Sequence, residues 1–267
     1  MPLASGLYFH LSQDGAIETP PVVLLHGIGG MHLFWPPQIR RLPGYRVFAL
    51  DLPGHGKSNH GGGLQTVEAY TEQIVVWMET VNLHRAVFVG HSLGGAIALN
   101  LSKQYPECVL GLGLFSSGVR LNIPQDILAD ASSAATFYKS VESLVSWSFG
   151  SSASAQLSDF TASRWREVRP SVLYGDLIAC EPFDCNEQLA EIRLPTLVLC
   201  GEEDRIAPLR YAQLAAHIIP GAVLQVIPHA GHMVMLEQPD LVAKSLAAFL
   251  EEIPYHAGEV NYHVPGN

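Results

Sequence analysis

Short apolar runs recur along this 267-residue chain, and each ends at or near a glycine or proline. Runs of this length without polar alternation predict strands that are buried on both faces. Longer amphipathic stretches between them predict helices, so the crossovers should form a mostly parallel α/β sheet with helices on both faces. The predicted strands cover residues 21–25, 45–51, 85–90, 109–117, 196–201 and 222–228, and the clearest helical stretches cover 67–83, 96–106, 211–219 and 240–253.

The segment 119–192 interrupts this alternation because it is rich in serine and alanine and contains no strand run. We interpret it as a helical cap inserted into a core made of 1–118 and 193–267. The alternative is a set of ordinary helices that cover the core. The segment carries many aromatic residues, among them Phe137, Tyr138, Trp147, Phe149, Phe160, Trp165 and Tyr174.

Charge and composition exclude several classes of protein. The chain has 15 Lys and Arg against 25 Asp and Glu, a formal net charge of -10, and no basic run that would neutralise a nucleic-acid backbone. The N-terminal residues lack the pattern of a signal peptide, and no apolar run reaches the roughly 18 residues of a membrane helix. We expect a cytoplasmic protein without a membrane span, with reduced cysteines, as a monomer or homodimer.

A candidate nucleophile lies in Gly90-His91-Ser92-Leu93-Gly94, a G-x-S-x-G motif between a predicted strand and a predicted helix. The flanking glycines permit a tight turn that lifts the Ser92 hydroxyl away from the sheet. The alternative is a Gly/Ser turn that only connects strand to helix.

A serine nucleophile needs a base and a group that orients the base. His232 follows the last predicted strand, and Asp204 lies three residues beyond the strand at 196–201, so both fall at carboxyl ends of strands. Glu202 and Glu203 compete locally with Asp204. The chain order Ser, Asp, His is the order that this kind of sheet uses.

Backbone N–H groups of Ile28 and Leu93 are candidates for the oxyanion hole, Ile28 because it stands in the glycine-rich turn HGIGG. The alternative is that these glycines only shape a turn.

Two other motifs resemble nucleotide-binding motifs but are incomplete. The first glycine of a phosphate loop ending in GHGKS falls on Asp51, and the third glycine of a dinucleotide motif falls on His32. We therefore predict no nucleotide, no cofactor and no metal.

The motifs HGIGG, DLPGHGKS, GHSLGG, LPTLVLCGEEDRIAP and HAGHMVMLEQP, in this order, resemble the α/β-hydrolase superfamily, in its capped branch of carboxylesterases, lactonases and C-C hydrolases. The resemblance implies an α/β-hydrolase fold with Ser92, Asp204 and His232 as a triad and Ile28 and Leu93 as oxyanion donors. It also implies that a substrate pocket is lined by His91, Met233 and cap aromatics, for which we select Phe137, Trp147 and Trp165. Many C-C hydrolases have a Trp where this chain has Met233.

These residues predict a serine esterase that cleaves small to medium acyl or aromatic esters through an acyl-enzyme. Arg164, Arg166 and Arg169 would favour an acidic substrate if one of them pointed inward. Lactone opening or C-C bond hydrolysis on the same triad is the alternative reaction. A hydrolase-fold binding protein without turnover is the alternative from another class.

Overall fold

The computed structural model describes residues 3–12, 18–58, 62–121, 123–185 and 189–255. Within them the chain forms one eight-stranded sheet in the order β1-β2-β4-β3-β5-β6-β7-β8. The strands are β1 (Leu3–Ala4), β2 (Leu7–Ser12), β3 (Val22–Leu25), β4 (Val47–Leu50), β5 (Ala86–His91), β6 (Val109–Phe115), β7 (Thr196–Gly201) and β8 (Val223–Ile227).

Strands β3 to β8 pair in parallel, as the alternation of strands and helices predicts. All six predicted strands are confirmed, with ends that differ by at most two residues. Strands β1 and β2 were not predicted, and both pair antiparallel, β2 with β4 through Phe9 and Leu50. Buried and half-buried residues nearly alternate in β2, and this two-residue period marks a strand that packs mainly through one face.

Ten α-helices and two short 3₁₀ helices lie within the described residues and cover both faces of the sheet. The α-helices are α1 (Pro37–Arg40), α2 (Val67–Thr80), α3 (Leu93–Gln104), α4 (Gln125–Ala131), α5 (Phe137–Ser148), α6 (Ala155–Glu167), α7 (Pro170–Cys180), α8 (Leu209–Ile218), α9 (Val234–Glu237) and α10 (Pro239–Glu251). The 3₁₀ helices are His32–Phe34 and Pro106–Cys108.

Helix α2 illustrates how the sequence fixes a helix and its buried face. Its N-cap residue, Thr66, accepts a hydrogen bond from the backbone N–H of Ala69 at 3.1 Å, which satisfies one of the free donors of the first turn. Tyr70, Ile74 and Trp77 recur at helical spacing and are fully buried. The Trp77 ring packs edge-on against rings of β2 and β4, so the helix is fixed on the sheet.

Helices α4 to α7 lie between β6 and β7, inside the segment 119–192 predicted as a cap. The two ends of this insertion are neighbours, because the backbone N–H of Cys185 donates to the carbonyl oxygen of Val119 at 3.0 Å. The chain therefore leaves the sheet and returns to it at one place. The division into core and cap at 118/119 and 192/193 stays a prediction. No helix in the described part of the chain is long and apolar enough to span a bilayer.

Candidate active site

Ser92 occupies a strained turn between β5 and α3, with φ 51° and ψ -115°. A non-glycine residue at positive φ is uncommon, and such strain concentrates at functional sites. The turn depends on its glycines: a Cβ at Gly90 would lie 2.1 Å from the carbonyl group of Gly94, and a Cβ at Gly94 would lie 2.1 Å from the carbonyl oxygen of Leu25. A side chain at either position would force the turn apart.

His232 and Asp204 are in contact and buried. His232 Nδ1 lies 3.1 Å and 3.0 Å from the two carboxylate oxygens of Asp204. The oxygen Oδ1 of Asp204 also accepts the backbone N–H groups of Ile206 at 3.0 Å and Ala207 at 2.8 Å. The loop after β7 thus holds the carboxylate rigidly against the imidazole. An Nδ1–H that donates to Asp204 leaves the Nε2 lone pair of His232 free to accept a proton.

Glu202 and Glu203, the local competitors, face elsewhere. The Glu203 carboxylate accepts the backbone N–H of Ser151 at 2.6 Å and its hydroxyl at 2.9 Å. Glu202 is exposed, and its carboxylate lies 3.5 Å from the backbone nitrogen of His229. Of the three acidic residues in this loop, the described contacts bring only Asp204 to His232.

Ser92 and His232 line one small cavity under the inserted helices. Its volume is about 20 Å³, which is room for about one water molecule. Its lining is mostly apolar and consists of Gly27, Ile28, Phe34, His91, Ser92, Leu144, Trp165, Ile206, His232 and Met233.

Three of the five predicted pocket residues, His91, Met233 and Trp165, line this cavity. Phe137 and Trp147 are not among the described residues that line it, so their role in substrate binding stays a prediction. Leu144 is the residue of α5 that faces the cavity, and Phe137 lies two helical turns away, about 10 Å along the axis. Trp147 is 39% exposed. The sequence did not predict three apolar residues of the lining: Leu144, Phe34 and Ile206. The identity of an apolar residue does not indicate which cavity its side chain faces.

Two backbone N–H groups remain available at the cavity. Leu93 is the first residue of α3, so its N–H has no intrahelical acceptor. The N–H of Ile28 has no acceptor among the described residues, whereas the carbonyl of its peptide, on Gly27, accepts bonds from Gly30 N–H at 3.1 Å and His26 Nδ1–H at 2.8 Å. Ile28 therefore lines the same cavity as Ser92, Leu93 follows Ser92 in the chain, and the described contacts give neither N–H an acceptor.

His91 connects the serine turn to the histidine loop. Its Nε2–H donates to the carbonyl oxygen of His232 at 2.9 Å. Burial, and then the neighbouring His232, hold the pKa of His91 well below its usual range. His91 is therefore neutral, carries its proton on Nε2 and fixes the backbone of His232.

Asp176, in α7, is a buried acidic residue that contacts the glycine-rich turn of Ile28 and was not predicted from the sequence. Its side chain is fully buried, and its carboxylate accepts the backbone N–H of Gly29 at 2.8 Å, His55 Nε2–H at 2.9 Å and the Tyr70 hydroxyl at 2.5 Å. A signal exists in the apolar run SVLYGDLIAC, because an ionisable residue inside a buried helix is paired.

The lookalike phosphate motif has a structural use. Asp51, which replaces its first glycine, is fully buried and accepts the backbone N–H of His32 at 2.6 Å, His32 Nδ1–H at 2.8 Å and the backbone N–H of Lys57 at 2.9 Å. The bond to Lys57 closes the turn after β4, and the bonds to His32 connect this turn to the segment after β3. In the described part of the chain, no group of three or more His, Cys, Asp or Glu side chains is arranged to hold a metal ion.

The cap arginines do not serve the cavity. Arg164 pairs with Glu167 at 2.8 Å, Arg166 lies 3.8 Å from Glu142, and none of the three is among the described lining residues. Arg169 donates to the carbonyl oxygen of Gly54 at 3.4 Å. They therefore provide no cationic partner for a substrate carboxylate there.

Most of the chain matches the sequence model of a known protein family. The model of the alpha/beta hydrolase family matches residues 22–245, which include every residue of the cavity. The chain belongs to the alpha/beta hydrolase family. The fold expected from the sequence motifs is confirmed, and the protein is a hydrolase.

Relatives of this alpha/beta hydrolase are named for different substrates. It is 27% identical to the pimeloyl-acyl-carrier-protein methyl ester esterase of Vibrio atlanticus, over 94% of this chain and 100% of the relative. It is 25% identical to the (E)-2-((N-methylformamido)methylene)succinate hydrolase of Acinetobacter baylyi, over 92% of this chain and 95% of the relative. The solved structure of a thermophilic esterase is 32% identical, with a TM-score of 0.79 and 94% of each chain covered.

Proposed function

We infer that this alpha/beta hydrolase is a serine esterase, with Ser92 as nucleophile, His232 as general base and Asp204 as the residue that orients the base. The observation that carries this inference is that His232, bonded through Nδ1 to Asp204, lines the same cavity as Ser92. A nucleophile, a base and an orienting carboxylate in this relation are the requirements of acyl transfer.

The reaction has two steps. Ser92 Oγ forms a bond to the ester carbonyl carbon while its proton passes to His232 Nε2, and the carbonyl oxygen becomes an oxyanion that accepts the N–H groups of Ile28 and Leu93. The carbon–oxygen bond of the alcohol then breaks, and His232 returns the proton to the alcohol. Water, deprotonated by His232, attacks the acyl-enzyme, releases the acid and restores Ser92.

The apolar lining of the cavity supports uncharged substrates within the predicted range of small to medium acyl or aromatic esters. Phe34, Leu144, Ile206 and Met233 present apolar groups, and the cap arginines do not line it. A buried substrate carboxylate without a basic partner would be costly. The substrate is therefore an uncharged ester from the small end of the range.

Lactone opening and C-C bond hydrolysis use the same triad and remain the alternative reactions. Ester cleavage is favoured because two of the relatives reported above are esterases. The relative from Acinetobacter baylyi is named for a succinate derivative, and no arginine that could pair with such a diacid is among the described residues that line the cavity.

The test is hydrolysis of p-nitrophenyl esters from acetate to dodecanoate by the wild type and Ser92→Ala. We expect turnover that is highest for short acyl chains, and a loss of several orders of magnitude in the variant. Folded wild type that is no faster than Ser92→Ala on every ester would exclude the esterase, and lactones, C-C substrates and tight ligand retention without turnover would then be measured.

A further inference from the structure

The peptide that follows the oxyanion donor Ile28 is held at both ends by the inserted helices. Its carbonyl oxygen, on Ile28, accepts the indole N–H of Trp165 from α6 at 3.1 Å. Its N–H, on Gly29, donates to the Asp176 carboxylate from α7 at 2.8 Å. All of these groups are buried. The plane of this peptide cannot rotate without breaking both contacts.

The Asp176 carboxylate is itself held on the core by a fully buried ion pair. His55 Nδ1 lies 3.1 Å from the carbonyl oxygen of Pro53, and His55 Nε2 lies 2.9 Å from Asp176. Both neighbours accept hydrogen bonds, so both ring nitrogens of His55 carry protons. Burial opposes the charge, yet Asp176 raises the pKa of His55 above its usual range.

The far side of the oxyanion loop is also fixed. His26 accepts the backbone N–H of Leu52 at Nε2, at 2.9 Å, and donates from Nδ1 to the carbonyl oxygen of Gly27. Burial, and then the charge of His55, lower the pKa of His26 to about 4, so His26 is neutral. The peptides on both sides of Ile28 are therefore anchored, and the Ile28 N–H between them has no acceptor among the described contacts.

We propose that Asp176 is a positioning residue for the oxyanion hole: its carboxylate holds the Gly29 N–H and so aims the Ile28 N–H at the carbonyl oxygen attacked by Ser92. This role rests on the proposed esterase function. It explains why a charged residue is retained in the buried helix α7. The oxyanion hole then depends both on the loop after β3 and on the inserted helices α6 and α7, which hold that loop.

A positioning role makes a kinetic prediction that a purely structural role does not make. Misdirection of one oxyanion donor weakens binding of the transition state and leaves ground-state binding of the ester unchanged. The expected result is a lower kcat for each competent site with the KM preserved. Loss of stability alone would lower the number of competent sites and leave kcat for each site unchanged.

The experiment compares wild type with Asp176→Leu, Asp176→Asn and Tyr70→Phe. A phosphonate titration counts active sites, p-nitrophenyl acetate gives kcat and KM, and a trifluoromethyl ketone, whose adduct with Ser92 places an oxyanion in the hole, gives a Ki. We expect Asp176→Leu to lower kcat for each titrated site by about 10- to 100-fold. We expect it to raise the Ki of the ketone by the same factor.

The other variants separate position from charge and from stability. In Asp176→Asn the amide oxygen can still accept the Gly29 N–H, so we expect kcat within about fivefold of wild type. Tyr70→Phe removes a bond from the opposite carboxylate oxygen, so we expect kcat for each site within about threefold of wild type. If Asp176→Leu does not fold, Trp165→Phe replaces it, and we expect it to lower kcat and ketone affinity together by about fivefold.

An Asp176→Leu enzyme with wild-type kcat for each titrated site, or a loss confined to KM, would overturn the positioning role. If that variant does not fold, a Trp165→Phe enzyme with unchanged kcat and ketone affinity would do the same. Wild type that is neither titrated by the phosphonate nor active would instead refute the esterase function. The two failures are therefore distinguishable.

Discussion

Replacement of Asp204 by Asn tests the orientation of the base, and the structure determines how the new amide would lie. In the wild type, both carboxylate oxygens lie near His232 Nδ1, Oδ1 at 3.1 Å and Oδ2 at 3.0 Å. Oδ1 also accepts two backbone N–H groups, from Ile206 and Ala207, whereas the described contacts give Oδ2 no backbone N–H donor. Only the amide oxygen of Asn can accept two N–H donors, so it takes the Oδ1 position. The NH₂ group is then directed at His232 Nδ1.

That arrangement reverses the tautomer of His232. A donor facing Nδ1 requires Nδ1 to be the acceptor, and the ring proton then lies on Nε2, where it prevents His232 from taking the proton of Ser92. The same change in the serine-protease triad lowers kcat by about 10⁴. We expect a similar loss here, which corresponds to about 5.5 kcal/mol in activation free energy.

The assay is steady-state hydrolysis of p-nitrophenyl acetate, with circular dichroism to show that Asp204→Asn is folded. Glu202→Gln is the matched control, because it makes the same chemical change two residues away on an exposed side chain. We expect the control to stay within about twofold of wild type, since exposed charges contribute little. A folded Asp204→Asn enzyme with more than a tenth of wild-type kcat would refute the tautomer argument.

Two further predictions concern the cavity and the buried ion pair. Leu144→Ala should move the best acyl chain in the ester series to a longer one, while Leu246→Ala, a buried leucine of α10 outside the described lining, should lower stability without moving it. Because the folded-state pKa of His55 is raised, its pair with Asp176 stabilises the fold fully below about pH 6 and less as pH rises through that pKa. The difference in unfolding free energy between wild type and His55→Gln, from urea titrations, should therefore fall as the pH rises above about 6, and a difference that stays constant with pH would contradict the ion pair.

The sequence predicted the parallel half of the fold because local patterns determine it. A strand buried on both faces is continuously apolar, and its carboxyl end is marked by the turn that follows. Gly90 and Gly94 have no substitute at the serine turn, since a Cβ at either position would meet backbone atoms. Because the turns mark the carboxyl ends of the strands, the placement of Ser92, Asp204 and His232 at these ends was predictable. Their catalytic roles are tested by the variants described above.

Contacts between distant segments were not foreseeable. Asp176 and Gly29 are separated by 147 positions. Nothing in the run SVLYGDLIAC identifies the distant donors whose hydrogen bonds the Asp176 carboxylate accepts. Phe137 and Trp147 were selected as pocket residues because they are aromatic, yet the direction of a side chain on α5 depends on how the helix packs. Of the residues of α5, the described lining contains Leu144.

The contacts of α5 with the core also determine how room for a substrate can be made. The backbone N–H of Met233 donates to the carbonyl oxygen of Ser148 at 3.0 Å, and Glu237 accepts the N–H of Gly150 at 2.8 Å and of Gly231 at 2.9 Å. Withdrawal of this end of α5 would break bonds that also hold the loop of His232. A cavity of about 20 Å³ excludes any ester unless its lining moves. We expect rearrangement of apolar side chains such as Leu144 to enlarge the cavity without breaking these bonds, and this is why the acyl-chain preference should respond to that residue.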